Sequence, residues 1–168
     1  PLTNSGELRM LVDGGATSVI VQDSGKLQNL RPAHIPIKVG GGMVTCTQVG
    51  DFYYATKAHG KMVVNRAVAR HVPNFGFDVL PEAIYLAAGA SMIKGKSKLE
   101  AKQGQHVLLE AEKHPHCWLY FAKITPISRP PSGTPLLTPL APKQKSSESA
   151  PRYTSNVIQD CSEVASFA

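Results

Sequence analysis

Short apolar runs separated by glycine-containing turns set the rhythm of residues 1–125. Leu8–Val12 and Thr17–Val21 are two such runs, each the length of a strand and too short for a helix. Ile35–Val39 and Met43–Val49 flank Gly40-Gly41-Gly42, which predicts a hairpin with a freely turning tip. Phe52–Lys57 and Lys61–Val72 flank Ala58-His59-Gly60 and predict a second hairpin. Pro81-Glu82-Ala83-Ile84-Tyr85-Leu86-Ala87-Ala88 has Pro and an acid in its first turn and Gly89 as its stop, which predicts one short helix. Further strands are expected at Ser91–Lys94, Lys98–Lys102, His106–Ala111 and Trp118–Ile124. The pattern predicts an all-β domain over 1–125 with a single short helix.

The rhythm stops at Pro126. Seven of the 13 prolines fall in 126–151, among Ser, Thr and Lys and without periodicity. Such a segment buries too little apolar surface to offset its ordering entropy, so 126–168 reads as a Pro/Ser/Thr-rich linker or disordered tail. With 42% apolar residues in 168, one sizeable core is affordable and a second is not. The net charge of +6 is scattered, and its densest cluster, Lys94, Lys96, Lys98 and Lys102, reads as a solvated hairpin. Nucleic acid is therefore not an expected partner of this segment. No apolar run reaches the ~18 residues of a membrane span, and no signal peptide is visible, so no membrane partner is expected. A chain opening on Pro1 reads as part of something longer. Cys46, Cys117 and Cys161 are odd in number and widely spaced, which argues against a disulfide framework and for an intracellular, cytoplasmic setting.

The candidate chemistry lies at the end of the first run. Met10-Leu11-Val12 leads into Asp13-Gly14-Gly15-Ala16-Thr17, a carboxylate at the end of a strand in a turn of small residues. Such a turn presents the Asp side chain outward, as aspartic proteases position their catalytic acid; Asp-Gly-Gly is also an ordinary turn signal. Asp23, Asp51, Asp78 and Asp160 lack the apolar strand followed by glycine, and no internal repeat supplies a second copy of the motif.

From Leu8 to Ile124 the order of features resembles the protease region of Copia-type LTR retrotransposon Pol polyproteins. Met10-Leu11-Val12-Asp13-Gly14-Gly15-Ala16-Thr17 is similar to that family's apolar-apolar-Asp-Ser-Gly-Ala-Ser/Thr signature. Ile37 to Val44 resembles its glycine-tipped hairpin, followed by a further glycine, here Gly50. Val72-Pro73-Asn74-Phe75-Gly76-Phe77-Asp78-Val79-Leu80-Pro81-Glu82-Ala83 resembles its segment leading into a helix, with Asp78 where Asn is usual and Pro81 where Ser is usual. Gly89 and the closing Trp118-Leu119-Tyr120 complete the likeness.

That resemblance implies a closed retropepsin-like β-barrel and an aspartic endopeptidase that processes its own polyprotein. It implies a homodimer, in which each chain contributes Asp13 and the two carboxyls share one proton to activate water. Gly14, Gly15, Ala16 and Thr17 would form the active-site turn. Gly40, Gly41, Gly42 and Met43 would form a flap over an extended polypeptide substrate. Neither metal nor cofactor is called for. Gly14 replaces the family's Ser or Thr, whose hydroxyl braces the two active-site loops, so a catalytically inactive dimeric barrel serving as an assembly module is the alternative. An RNA-binding β-barrel is a third reading.

Three other features have ordinary explanations. His114-Pro115-His116-Cys117 gathers potential metal ligands, but no second Cys/His pair stands at ligand spacing. Gly40-Gly41-Gly42 is followed by strand-forming Met43-Val44-Thr45, whereas phosphate-cradling loops lead into a helix. Phe52-Tyr53-Tyr54 beside Lys57 and Lys61 is read as barrel core in preference to a base-stacking platform.

Overall fold

A computed structural model describes residues 6–130 and Ser132, so the Pro-rich stretch assigned to a tail lies almost wholly outside the described residues. Those described residues form ten strands: β1 (Leu8–Asp13), β2 (Val19–Val21), β3 (Gln28–Val39), β4 (Gly42–Ala58), β5 (Lys61–His71), β6 (Asp78–Pro81), β7 (Ser91–Lys94), β8 (Lys98–Gln103), β9 (His106–Lys113) and β10 (Tyr120–Pro126). One α-helix, α1 (Glu82–Ala87), and a 3₁₀ turn at Ser24–Lys26 complete the set. The domain is mostly β with one short helix, as the apolar rhythm predicts.

The strands follow the order β3-β4-β5-β2-β6-β1-β10-β9-β8-β7, and β10 also pairs with β4. The line of pairings therefore returns on itself through Ile124↔Thr56 and Pro126↔Tyr54. Burial follows position in this order. β1 lies between β6 and β10, and Met10, Leu11 and Val12 are buried in succession because both faces are covered. β3 is at the edge of the order, and from Ile35 to Val39 it alternates half-buried and exposed residues.

Several predicted boundaries move. The second run forms a strand only from Val19, because Thr17 and Ser18 belong to the turn that precedes it. Met43–Val49 and Phe52–Lys57 are parts of one 17-residue strand. Gly50 is no break there; it lets β3 approach, since a Cβ at that position would meet the Gln28 carbonyl oxygen and Leu27 Cβ at 2.9 Å. The closing strand starts at Tyr120, leaving Trp118 78% exposed with Lys113 Nζ 3.8 Å above its ring. That strand includes Pro126, so regular structure crosses the 125/126 boundary by one residue.

The helix obeys its local signals. Pro81 is the N-cap, and Gly89, at φ 83°, ends the helix in a left-handed turn. Ala90 N–H donates to the Tyr85 carbonyl at 2.9 Å and Gly89 N–H to that of Leu86 at 3.0 Å, the paired bonds of a Schellman stop. Tyr85 is thereby held in the main core with Phe52, Tyr54, Leu80, Leu99 and Leu109. Burial pushes the Tyr54 hydroxyl up to about 12, and it lies 3.5 Å from the Tyr85 hydroxyl.

Candidate active site

Asp13 is the last residue of β1, where the strand leaves the shelter of its neighbours. The ladder to β10 ends at Val12↔Tyr120, and the parallel ladder to β6 ends at Asp13↔Pro81. The side chain is half-buried, next to three fully covered apolar residues. Gly15 N–H donates to Asp13 Oδ1 at 2.8 Å, so the turn orients the carboxylate with its own backbone. A Cβ at position 15 would stand 3.4 Å from that oxygen, an ordinary van der Waals contact, so packing alone does not exclude a side chain there.

The strands on either side of the turn do not pair with each other. β6 lies between them, with Val79 opposite Leu11 in the parallel ladder and opposite Ile20 in the antiparallel one. A strand from far downstream in the chain thus lies between the two arms of the Asp13 turn and holds them apart. Asp78, at the start of β6, accepts from Gln22 N–H at 2.8 Å and lies 3.5 Å from Lys26 Nζ, tying the segment after β2 to β6.

Glu82 is the neighbour that sequence reasoning missed. It follows β6 directly, its side chain is nearly covered, and Lys94 Nζ lies 2.7 Å from its Oε1. A Cβ on Gly14 would sit 3.3 Å from the Glu82 carboxyl carbon and both its oxygens. The space above Gly14 is therefore bounded by a carboxylate. No local pattern marks this contact, which exists because Asp13↔Pro81 pairing brings position 82 beside position 14.

A second apolar cluster reaches the turn through Ala16. Ile20, Cys46, Val72 and Val79 are buried, with Ala16, Ile35, Ile37, Val44, Val49, Phe75 and Phe77 half-buried around them. This cluster joins the Asp13 turn, through Ala16, to the shaft of the β3–β4 hairpin. The hairpin tip behaves differently from its shaft. Gly40, Gly41, Gly42 and Met43 are all exposed, Met43 at 62%, and Gly42 belongs to β4, paired with Val39, although its φ is 150°. Thr17 is exposed in the turn.

The remaining sequence candidates lie outside the Asp13 turn. Phe52, Tyr53 and Tyr54 are buried, so none offers an open face for a base. His114, Pro115, His116 and Cys117 lie in the connection between β9 and β10, where His114 Nδ1 accepts from His116 N–H at 3.2 Å. Among the described residues no helix is long and apolar enough to cross a membrane. Compared with family models, curated proteins and solved structures, the chain matches none.

Proposed function

We propose that the chain is an aspartic endopeptidase of the retropepsin-like type, working as a homodimer on extended polypeptide, its own polyprotein included. One observation carries the reading: a backbone-oriented, half-buried carboxylate at a strand end opens a turn whose Ala16 shares an apolar cluster with a long glycine-tipped hairpin. The ring of pairings β4-β5-β2-β6-β1-β10-β4 supports a closed barrel, and the insertion of β6 between the arms of the Asp13 turn supports a rigid mount for the acid.

The chemistry follows from two Asp13 carboxyls facing each other across a two-fold axis. At about 3 Å they share a single proton, because both cannot stay ionised so close together. The ionised partner takes a proton from water as the oxygen attacks the scissile carbonyl, and the other carboxyl protonates the carbonyl oxygen. Collapse of the tetrahedral intermediate then breaks the C–N bond, with a proton delivered to the leaving amine. The β3–β4 hairpin supplies an edge for an extended substrate and, over it, a cover that excludes water. Half-buried Ile35, Ile37, Val44, Phe75 and Phe77 offer apolar surface for alternate side chains of such a substrate.

The test is cleavage of an apolar-rich peptide library, read by mass spectrometry, by the wild type and by Asp13→Asn, with sedimentation run in parallel. Cleavage by a wild-type dimer, lost by about 10²–10⁴-fold in the amide variant, supports the mechanism. A wild-type dimer that cuts nothing favours the inactive assembly module, and a monomer removes the symmetric dyad altogether.

A further inference from the structure

Glu100 on β8 and Glu110 on β9 are direct cross-strand partners. Like charges placed opposite each other on an antiparallel ladder repel, so this pairing calls for a cation between them. The tip of the β4–β5 hairpin delivers His59 to that position. His59 Nε2 lies 2.9 Å from Glu100 Oε2 and 2.8 Å from Glu110 Oε1. A single ring nitrogen has one proton to donate or one lone pair to offer, and it cannot fully satisfy two carboxylates at once. The three ligand atoms all lie within 4.8 Å of one another.

We propose that His59, Glu100 and Glu110 form a site for one divalent transition-metal cation of the zinc type, which fastens the β4–β5 tip to the β8–β9 hairpin. The ligand set of one imidazole and two carboxylates suits zinc, which bonds nitrogen and oxygen at about 2.0–2.2 Å in a tetrahedron. Such a tetrahedron separates its ligand atoms by about 3.4 Å, so a small outward movement of the side chains accommodates the ion. A fourth position is open to solvent, because His59 is half-exposed and borders a cavity of about 320 Å³ that Met62, His106 and Leu108 also line. Glu100 already has an outer partner: Lys98 Nζ lies 3.5 Å from Oε1, the oxygen that does not face His59, and so helps to orient the other toward the ion. The histidine has a φ of 48° in the tight turn before Gly60, a left-handed conformation that Asn also adopts readily.

That last point supplies a clean variant. His59→Asn suits the left-handed turn and removes the nitrogen ligand, so loss of binding in it does not report loss of folding. The full chain, freed of metal by chelator and dialysis, is titrated with Zn²⁺ and with Mg²⁺ by calorimetry, with thermal unfolding followed alongside. We expect saturable binding of one Zn²⁺ per chain, a Tm raised by at least about 4 °C at saturating Zn²⁺, and no comparable effect of Mg²⁺. In His59→Asn and in Glu110→Gln the Zn²⁺ affinity falls by more than the about 10–100-fold that loss of an outer-shell partner causes. Absence of saturable Zn²⁺ binding in the wild type overturns the proposal. So does binding of unchanged affinity in His59→Asn, which would place the ion elsewhere, with His114, His116 and Cys117 the next candidates.

Discussion

The two apolar clusters of this domain are built on opposite terms. The main core is dry: Phe52, Tyr54, Tyr85, Leu99 and Leu109 have no exposed surface. The cluster at the Asp13 turn has four buried members and a larger surround of half-buried ones, drawn from the turn, the β3–β4 hairpin and the loop before β6. The first arrangement yields stability, because every removed atom leaves a void. The second keeps apolar surface in contact with water near the Asp13 turn, which on the protease reading gives a peptide side chain somewhere to bind. The contrast sets a sealed core against a half-open cluster within one β-rich fold.

The largest effect should come from deleting atoms in the dry core. Leu99→Ala is expected to cost about 3–5 kcal/mol in urea unfolding, whereas Ile37→Ala in the hairpin shaft should cost under about 1.5 kcal/mol. On the protease reading, the hairpin change should instead raise KM for apolar peptides. Equal stability losses at the two positions would erase the distinction between the clusters.

An intermediate effect is expected where the hairpin joins the body. Asp51 is buried at 5% exposure on β4 and accepts from Asn29 Nδ2 at 2.9 Å, with Arg66 and Arg31 guanidinium nitrogens 3.3 and 3.6 Å from its other oxygen. The Asn29 hydrogen bond, with the two arginines and against burial, holds the carboxyl below its ordinary value of 3.8. The folded state therefore releases this proton more readily than the unfolded chain does. Its stabilisation is complete above the ordinary value and is lost as pH falls through the folded one. Asn29 has a φ of 50°, which glycine tolerates, so Asn29→Gly removes the bond without adding strain. The variant should lose about 1.5–3 kcal/mol at neutral pH, and the gap from wild type should close in acid. A gap independent of pH would mean that the carboxylate is not what Asn29 stabilises.

The smallest effect tests how tightly the turn is packed. Gly14→Ser brings a Cβ to 3.3 Å from a Glu82 carboxylate that Lys94 restrains, and should cost about 1–2 kcal/mol. In a Glu82→Ala background the same change should be nearly neutral, which a double-mutant cycle would read as coupling. Additive effects would mean that the carboxylate yields freely and that the turn is as open as the rest of its cluster.

Most of the β-elements were legible because strand formation is local: apolar runs of strand length, glycine turns, and a helix with Pro at its start and Gly at its end. Where boundaries moved, a tertiary partner was responsible. Met43–Val49 and Phe52–Lys57 looked like separate runs and instead join through Gly50, which admits β3, and Trp118 looked like strand and stands in solvent. The strand β6 was missed altogether, since four residues ending in Pro carry little periodic signal and pair only with strands distant in the chain.

The site divides in the same way. Asp13, its small-residue turn and the glycine tip are written in consecutive residues, because a turn's geometry depends on the φ and ψ its own residues permit. The Glu82 carboxylate above Gly14, the half-buried ring of Ala16, Ile37 and Phe77, and the convergence of His59 on Glu100 and Glu110 are not. Each depends on strand register between segments tens of residues apart. A shift of one residue would turn those side chains to the opposite face, so only the assembled sheet could decide them.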